Sequence, residues 1–209
     1  MLITKPVTDL FDAFSSPDPT PGGGSASALA GALAASLLAM VAGMPKTRTG
    51  TADERAALDE SRADLLRLRT TLLELVDRDA AAYDLVVAAF KRPKATDEEK
   101  ADRKTAIREA MRVATDVPLE TMGACGAVIS CARVVAEHGN RSASSDVGVA
   151  LHLAKAGQAG ARLNVEINLG SLGDDMAVGL VTRERDRIAD AADRDWQVAA
   201  EAAGLTARG

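Results

Sequence analysis

Residues 19–44 read PTPGGGSASALAGALAASLLAMVAGM. Two prolines flank a threonine, three glycines follow, and residues 25–44 carry no charge. Glycines allow another part of the chain or a ligand to approach the backbone closely. A helix that begins here also directs its N-terminal amides at the loop, where they can meet an anionic or hydrogen-bond-accepting group. The stretch therefore predicts a loop that forms the wall of a site, followed by a buried helix.

Apolar residues recur at the helical period along the rest of the chain, and no segment has the alternation of a strand. The predicted helices cover residues 7–15, 25–43, 52–90, 96–118, 117–138, 145–169 and 174–203, where 52–90 is either one long helix or two nearly continuous ones. Pro118 is expected to kink or restart its helix, and Ser142 or Ser144 to cap the helix that follows. An aromatic content of 2% leaves burial to small and aliphatic side chains, which suits close helix packing. We predict an all-α fold, a bundle of long antiparallel helices, as a single domain over residues 1–209.

Composition argues against several classes of protein. The net charge is −5 with both signs interspersed, which predicts no nucleic-acid partner. Residues 25–44 lack a strongly hydrophobic middle and an aromatic belt, so we expect a core helix and no membrane association. Cys125 and Cys131 are six residues apart, a spacing that indicates free thiols and a cytoplasmic protein. His138 and His152 have no set of partner ligands, so no metal is expected.

Asp79 and Tyr83 are the first candidates for chemistry. They are four residues apart on one helix face, with Ala80, Ala81 and Ala82 between them. A carboxyl group in these surroundings would be partly desolvated, and its pKa would rise toward the range that suits a general acid or base. The alternative is an ordinary salt bridge from Asp79 to Arg78 or to a lysine of a neighbouring helix.

Two further sets of polar residues lie beside or within predicted apolar helices. The segment Asn140–Asp146 precedes a predicted helix, where its polar side chains either cap that helix or hold Asp146 rigidly as a functional acid. Asn164 and Asn168 are four apart inside an apolar helix, where an unpaired amide is costly. They predict hydrogen bonds to a neighbouring helix, a loop or a ligand.

Taken together, these segments resemble the cyclodeaminase/cyclohydrolase family of tetrahydrofolate one-carbon enzymes. The total length and the segment Pro93–Lys100 look most like the stand-alone methenyltetrahydrofolate cyclohydrolases. The matching stretches occur in family order: Pro19–Ala26, Asp79–Asp84 with Arg92–Lys94, Ala114–Leu119, Gly139-Asn140 with Ser145-Asp146, and Asn164–Asn168. Residues 43–50 depart from the family's usual turn, which continues with a Gly-Lys-Lys segment and an aromatic residue.

The resemblance implies an all-helical homodimer that hydrolyses 5,10-methenyltetrahydrofolate to 10-formyltetrahydrofolate and requires no cofactor. The alternatives are the ammonia-releasing cyclodeaminase reaction and a folate-binding dimer without catalysis. Asp79 is expected to be the acid or base, with Asp146 as its electrostatic partner. The expected substrate-binding residues are Pro21, Gly22, Gly23, Gly24, Ser25, Tyr83, Asn140, Asn164 and Asn168, with Lys46 and Arg48 for the glutamate carboxylates of the folate.

Overall fold

A computed structural model of the chain describes residues 1–205, so the last four residues of the predicted domain lie outside it. The described residues form six α-helices and one short 3-10 turn. Their bounds are α1 Val7–Ser15, α2 Gly23–Ala42, α3 Ala52–Phe90, α4 Asp97–His138, the 3-10 turn Arg141–Ala143, α5 Ser144–Leu169 and α6 Asp175–Ala203. The predicted all-α class is confirmed, and most helix ends lie within two residues of their predicted positions.

Helix starts follow from side-chain caps. Thr51 accepts a hydrogen bond from the Glu54 amide at the start of α3. Thr96 and Glu99 form a complete capping box at the start of α4, which satisfies two amides that have no helical partner. The prediction that Ser142 or Ser144 caps α5 is wrong. Ala143 precedes α5 without a side-chain hydrogen bond, and Asn140 instead caps the 3-10 turn by accepting from the Ser142 amide.

Helices α2, α3, α4 and α5 pack as a ring in which neighbours run antiparallel. The start of α2 lies beside the second half of α3, since the Ser25 hydroxyl oxygen is 2.9 Å from the Val76 carbonyl oxygen. The start of α2 also lies beside the end of α5, where a Cβ at Gly23 would lie 3.6 Å from Asn164 Nδ2. In the middle of α5, a Cβ at Gly157 would come within 2.7 Å of the Ser27 carbonyl oxygen. Small residues thus allow α2 and α5 to pack with their backbones close together.

The core lies inside this ring. Leu58, Leu65, Leu72, Leu75 and Val76 of α3 are at most 1% exposed, and they lie along the face that meets α2 and α4. Two helices, α2 and α4, contain segments long and apolar enough to cross a bilayer, but 61% of the α2 segment is buried inside the protein. This degree of burial is that of a core helix.

Pro118 does not interrupt α4. The sequence predicts a kink or a restart there, whereas a single helix runs from Asp97 to His138 with buried Pro118 inside it. A proline in a helix removes the hydrogen bond to the carbonyl four residues earlier, which here belongs to Ala114. That carbonyl accepts instead from Asn168 Nδ2 of α5 at 2.6 Å. A side chain of the neighbouring helix therefore compensates for the missing backbone donor.

Candidate active site

A cleft opens at the end of the ring where α2 begins and α5 ends. It has a volume of about 280 Å³, near the lower end of the range for ligand pockets, roughly 300–1,000 Å³. All four core helices contribute to it. The lining residues are Pro19, Thr20, Gly22, Gly23 and Gly24 before and in α2, Asp79, Ala82, Tyr83 and Val86 of α3, Met111 and Ala114 of α4, and Asn164 and Asn168 of α5.

Asp79 lies in the cleft against the first turn of α2. Its Oδ2 accepts from the Ser25 amide at 2.8 Å and lies 3.0 Å from the Ser25 hydroxyl. Burial raises the pKa of Asp79, and the two Ser25 hydrogen bonds oppose that rise. The predicted direction of the pKa shift is therefore confirmed. The sequence predicted that amides at the start of α2 would meet an anionic or hydrogen-bond-accepting group. In the structure, the Ser25 amide meets such a group within the protein, the Asp79 carboxylate.

The salt-bridge interpretation of Asp79 is wrong for the described residues. Arg78 points to α4, where both of its terminal nitrogens donate to Glu120 at 3.0 and 2.7 Å. The described residues that line the cleft include no lysine, arginine or histidine. Asp79 consequently lies in the cleft without a cationic protein partner, and a cationic ligand would provide the missing charge.

Gly24 is required by the position of Asp79. A Cβ atom at residue 24 would lie 2.5 Å from the Asp79 Cγ and 2.8 Å from its Oδ2. These distances are well below ordinary carbon contacts, so the carboxylate occupies the space of the missing side chain. The third glycine of the run thus allows α2 and the carboxylate of α3 to meet.

Both asparagines of α5 lie in the cleft. Asn164 Nδ2 donates to the Gly160 carbonyl at 2.9 Å, and Asn168 Nδ2 donates to the Ala114 carbonyl at 2.6 Å. Because a carbonyl oxygen can only accept, each amide must present its nitrogen to the protein. The two Oδ1 atoms are then available to accept from N–H groups of a ligand. Tyr83, which is 42% exposed, lines the mouth of the same cleft.

Asp146 is not in this cleft. It lies in the first turn of α5, eighteen residues before Asn164, which is about 27 Å along a helix. Asn140 lies at the same far end, where it caps the 3-10 turn. Within one chain, Asp79 and Asp146 therefore do not share a site. Their predicted partnership would require Asp146 of a second copy of the chain, and it stays a prediction. Sequence periodicity identified the helix, but it carries no information on which end meets Asp79.

Lys46 and Arg48 also lie at the far end, because α2 extends for about 30 Å between them and the cleft. Arg48 Nη1 donates to the carbonyls of Ala136 and Glu137 at 2.7 and 3.1 Å. The Arg48 guanidinium thus satisfies carbonyls at the C-terminal end of α4. Within one chain, neither basic residue can meet a folate bound beside Asp79, so the expectation is corrected on this point. The unusual segment 43–50 likewise does not border the cleft.

Of the predicted substrate-binding residues, Gly22, Gly23, Gly24, Tyr83, Asn164 and Asn168 line the cleft, while Ser25 is buried behind it. Pro21 is absent from the described lining, although Pro19 and Thr20 on its N-terminal side belong to it. The sequence analysis missed Val86 and Met111. Val86 follows Asp79 and Ala82 at helical spacing, which could have identified it. Met111 precedes Ala114 by three residues on α4, and this helical spacing could likewise have identified it.

The arrangement suits one kind of chemistry. A single half-buried carboxylate with a raised pKa, here Asp79, can take up and return a proton. The Ser25 hydroxyl has one hydrogen, so it can donate either to ionised Asp79 or to the Val76 carbonyl. When Asp79 is protonated, the hydroxyl can accept from Asp79 while it donates to Val76. Over the described range, no three His, Cys, Asp or Glu side chains lie together as a metal site would require.

Comparison with known proteins places these observations in context. Residues 6–187 match the family model described as formiminotransferase-cyclodeaminase. The methenyltetrahydrofolate cyclohydrolase of Methylorubrum extorquens is 42% identical over 172 residues, which cover 80% of this chain and 81% of that protein. The formimidoyltransferase-cyclodeaminase of Gallus gallus is 30% identical over 174 residues, 83% of this chain but only 32% of that protein. The chain thus spans about a third of the bifunctional relative.

Among solved structures, the formiminotetrahydrofolate cyclodeaminase of Thermotoga maritima superimposes with a TM-score of 0.87 over 98% of both chains. The sequences are 22% identical, so the match shows a shared fold.

Proposed function

The chain belongs to the formiminotransferase-cyclodeaminase family, and we propose that it is a methenyltetrahydrofolate cyclohydrolase. The reaction hydrolyses 5,10-methenyltetrahydrofolate to 10-formyltetrahydrofolate. One observation carries this proposal: Asp79 is a half-buried carboxylate with a raised pKa, and the described residues that line its cleft include no cationic partner. The substrate is a cation at the methenyl bridge, so it provides the charge that the cleft lacks. The similarity to the Methylorubrum enzyme supports the same reaction.

In the proposed mechanism, ionised Asp79 attracts the amidinium and accepts a proton from a water molecule. The oxygen of that water bonds to the methenyl carbon, which gives a neutral carbinolamine. The bond from this carbon to N5 then breaks. N5 takes the proton from Asp79, and the carbinolamine hydroxyl loses its proton to solvent as the formyl group forms on N10. One proton is released overall, and Asp79 returns to its ionised form.

The other cleft groups orient the substrate. The reduced pterin ring carries N–H donors, and the Oδ1 atoms of Asn164 and Asn168 are available to accept from them. The uncharged wall formed by the glycines, Ala82, Ala114 and Met111 suits the face of the ring, whose polar edge would meet the asparagines.

Turnover of 5,10-methenyltetrahydrofolate tests the proposal directly. The purified chain should accelerate the loss of the near-UV absorbance of this substrate above the rate in buffer. Binding without acceleration would instead indicate a folate-binding protein. Ammonia release from 5-formiminotetrahydrofolate, without hydrolysis of the methenyl substrate, would indicate a cyclodeaminase. The similarity to the Gallus protein makes this the second substrate to assay.

We also propose that hydrolysis needs no metal or other cofactor, because a carboxylate and water suffice for each proton transfer. Dialysis against EDTA should leave kcat and KM unchanged. A loss of activity that Zn²⁺ or Mg²⁺ restores would overturn this part of the proposal.

We further propose that the protein is cytoplasmic, since Cys125 and Cys131 are both free thiols. Cell fractionation would test that location.

The oligomer we propose is a homodimer formed through the outer faces of α2 and α5. α2 contains no charged residue, and Leu33 and Met40 are 52% and 45% exposed on its surface. Leu163 and Ile167 on α5 are 61% and 77% exposed. Exposed aliphatic side chains on two neighbouring helices are typical of an interface between subunits.

A two-fold pairing of this kind would have a functional consequence. If the two copies of α5 run antiparallel, the Asp146 end of one chain approaches the Asn168 end of the other. Light scattering should give twice 21.6 kDa for the wild type and a monomer for Leu163→Arg. Val198→Arg, at an exposed apolar position on α6, should remain dimeric. In a shared site, mixing inactive Asp79→Asn and Asp146→Asn chains should restore part of the activity.

A further inference from the structure

The proposed mechanism gives no role to the buried Pro118, which follows Ala114 of the cleft wall by four residues on α4. It lies in the interior of α4, with a full turn of helix on either side. Proline is strongly disfavoured there, because it has no amide hydrogen and its ring pushes against the carbonyl four residues earlier. An unfavourable residue in the middle of a long helix calls for a compensating role.

The displaced carbonyl belongs to Ala114, which lines the cleft. It accepts from Asn168 Nδ2 at 2.6 Å, and the bond joins α4 to α5 across fifty-four residues of sequence. Asn164 offers a comparison within the same cleft. Its amide bonds to the Gly160 carbonyl of its own helix, so its position needs nothing from α4.

We propose that Pro118 is a positioning residue for folate binding: by leaving the Ala114 carbonyl free, it fixes the Asn168 amide with its oxygen toward the ligand. The inference rests on the proposed function. The Ala114 carbonyl can only accept, so the Asn168 nitrogen must face it, and Oδ1 faces the other way. The group recognised is therefore an N–H donor of the pterin ring. Because this contact is made to a ring N–H and not to the reacting carbon, it contributes to substrate binding more than to the chemical step.

Pro118→Ala tests the idea, since alanine returns an amide hydrogen to α4 that can bond the Ala114 carbonyl within the helix. With 5,10-methenyltetrahydrofolate as substrate, KM should rise about tenfold, the equivalent of one hydrogen bond, while kcat changes little. The thermal midpoint should stay level or rise, because a helix-breaking residue is removed. Val117→Ala is the matched control: it removes volume from a buried neighbour, and it should lower the thermal midpoint without changing KM.

A double-mutant cycle separates positioning from a general effect on the fold. Asn168→Ala should raise KM by a similar factor, and Pro118→Ala should add nothing to it. Additive effects, or an unchanged KM in Pro118→Ala, would overturn the inference while wild-type turnover left the proposed function standing. No turnover by the wild type would reject the function itself. If neither Pro118→Ala nor Pro118→Ser folds, Pro118 serves the fold and the positioning role is rejected.

Discussion

The carboxylate of Asp79 fills the space that a side chain at Gly24 would occupy. A Cβ at residue 24 would approach the Asp79 Cγ to 2.5 Å, and the next residue, Ser25, donates its amide to the same carboxylate at 2.8 Å. One turn of α2 therefore both makes room for the carboxylate and binds it. The carboxylate cannot move closer to α2, and its burial there raises its pKa.

Gly24→Ala should disturb the site more than the fold elsewhere. The added methyl group forces the Asp79 side chain or α2 to shift, and such overpacking costs about 1–3 kcal/mol in free energy of unfolding. Turnover should fall with it, because the carboxylate leaves its position. Gly123→Ala is the control, since a Cβ there would meet Ile188 at an ordinary 3.8 Å. That variant should be as stable as the wild type or up to about 1 kcal/mol more stable. Equal behaviour of the two variants in urea unfolding and in turnover would contradict the assigned role of Gly24.

Asp79→Asn should abolish hydrolysis while preserving the helices. The amide has the shape of the carboxylate but cannot take a proton from water, and loss of a general base lowers kcat by about 10²–10⁴-fold. Burial raises the pKa of Asp79, so its ionised form opposes folding at neutral pH, and the asparagine variant should melt at the same temperature or higher. Asp84→Asn, an exposed change on the same helix, should keep wild-type turnover. An active Asp79→Asn enzyme would remove Asp79 from the mechanism.

Ser25→Ala should move the pH dependence of kcat/KM. The reaction needs ionised Asp79, so activity is lost as the pH falls through the pKa of this group in the free enzyme. Hydrogen bonds from Ser25 lower that pKa against the effect of burial. Without the hydroxyl, the pKa rises further, and the acidic limb of the profile should shift to higher pH. Ser36→Ala, at a serine on the same helix far from the cleft, should leave the profile in place. A shift to lower pH would show that another group controls the limb.

The helices and the glycine loop were predictable because their signals are local. Thr96 and Glu99 form a capping-box pattern that predicts the start of α4, and the uncharged residues after Gly24 predict a buried helix. Pro118 misled the prediction, since its local effect is a helix break. The compensating hydrogen bond comes from Asn168, which is fifty-four residues from Ala114 in sequence although its helix packs against α4. The separation of Asp146 from Asp79 was likewise not predictable from spacing. Periodicity assigns a residue to a helix face, whereas the end of the bundle that it occupies depends on the directions of all the helices.

Glu54 should control the stability of the protein in acid. Its carboxylate is buried at the start of α3, where it accepts from the Thr47 hydroxyl at 2.7 Å and from the Gly50 amide at 3.0 Å. Hydrogen bonds from Thr47, Thr49 and Gly50 lower the pKa of Glu54 from 4.5 to about 2. A depressed pKa in the folded state means that the unfolded chain binds the proton first as the pH falls. The stabilising contribution is therefore complete above about pH 4.5 and is lost progressively toward pH 2.

The measurement is a series of urea midpoints between pH 2 and pH 7 for the wild type and Glu54→Gln. Glutamine cannot ionise, so the variant should be less stable at neutral pH, and its midpoint should fall less steeply below pH 4.5. Glu60→Gln, an exposed change on the same helix, should follow the wild-type curve. Parallel curves for the wild type and Glu54→Gln would show that the loop 47–50 does not stabilise the fold through this carboxylate. Because this loop lies at the end of α2 far from Asp79, the turnover of Glu54→Gln at neutral pH should match the wild type wherever the variant is folded.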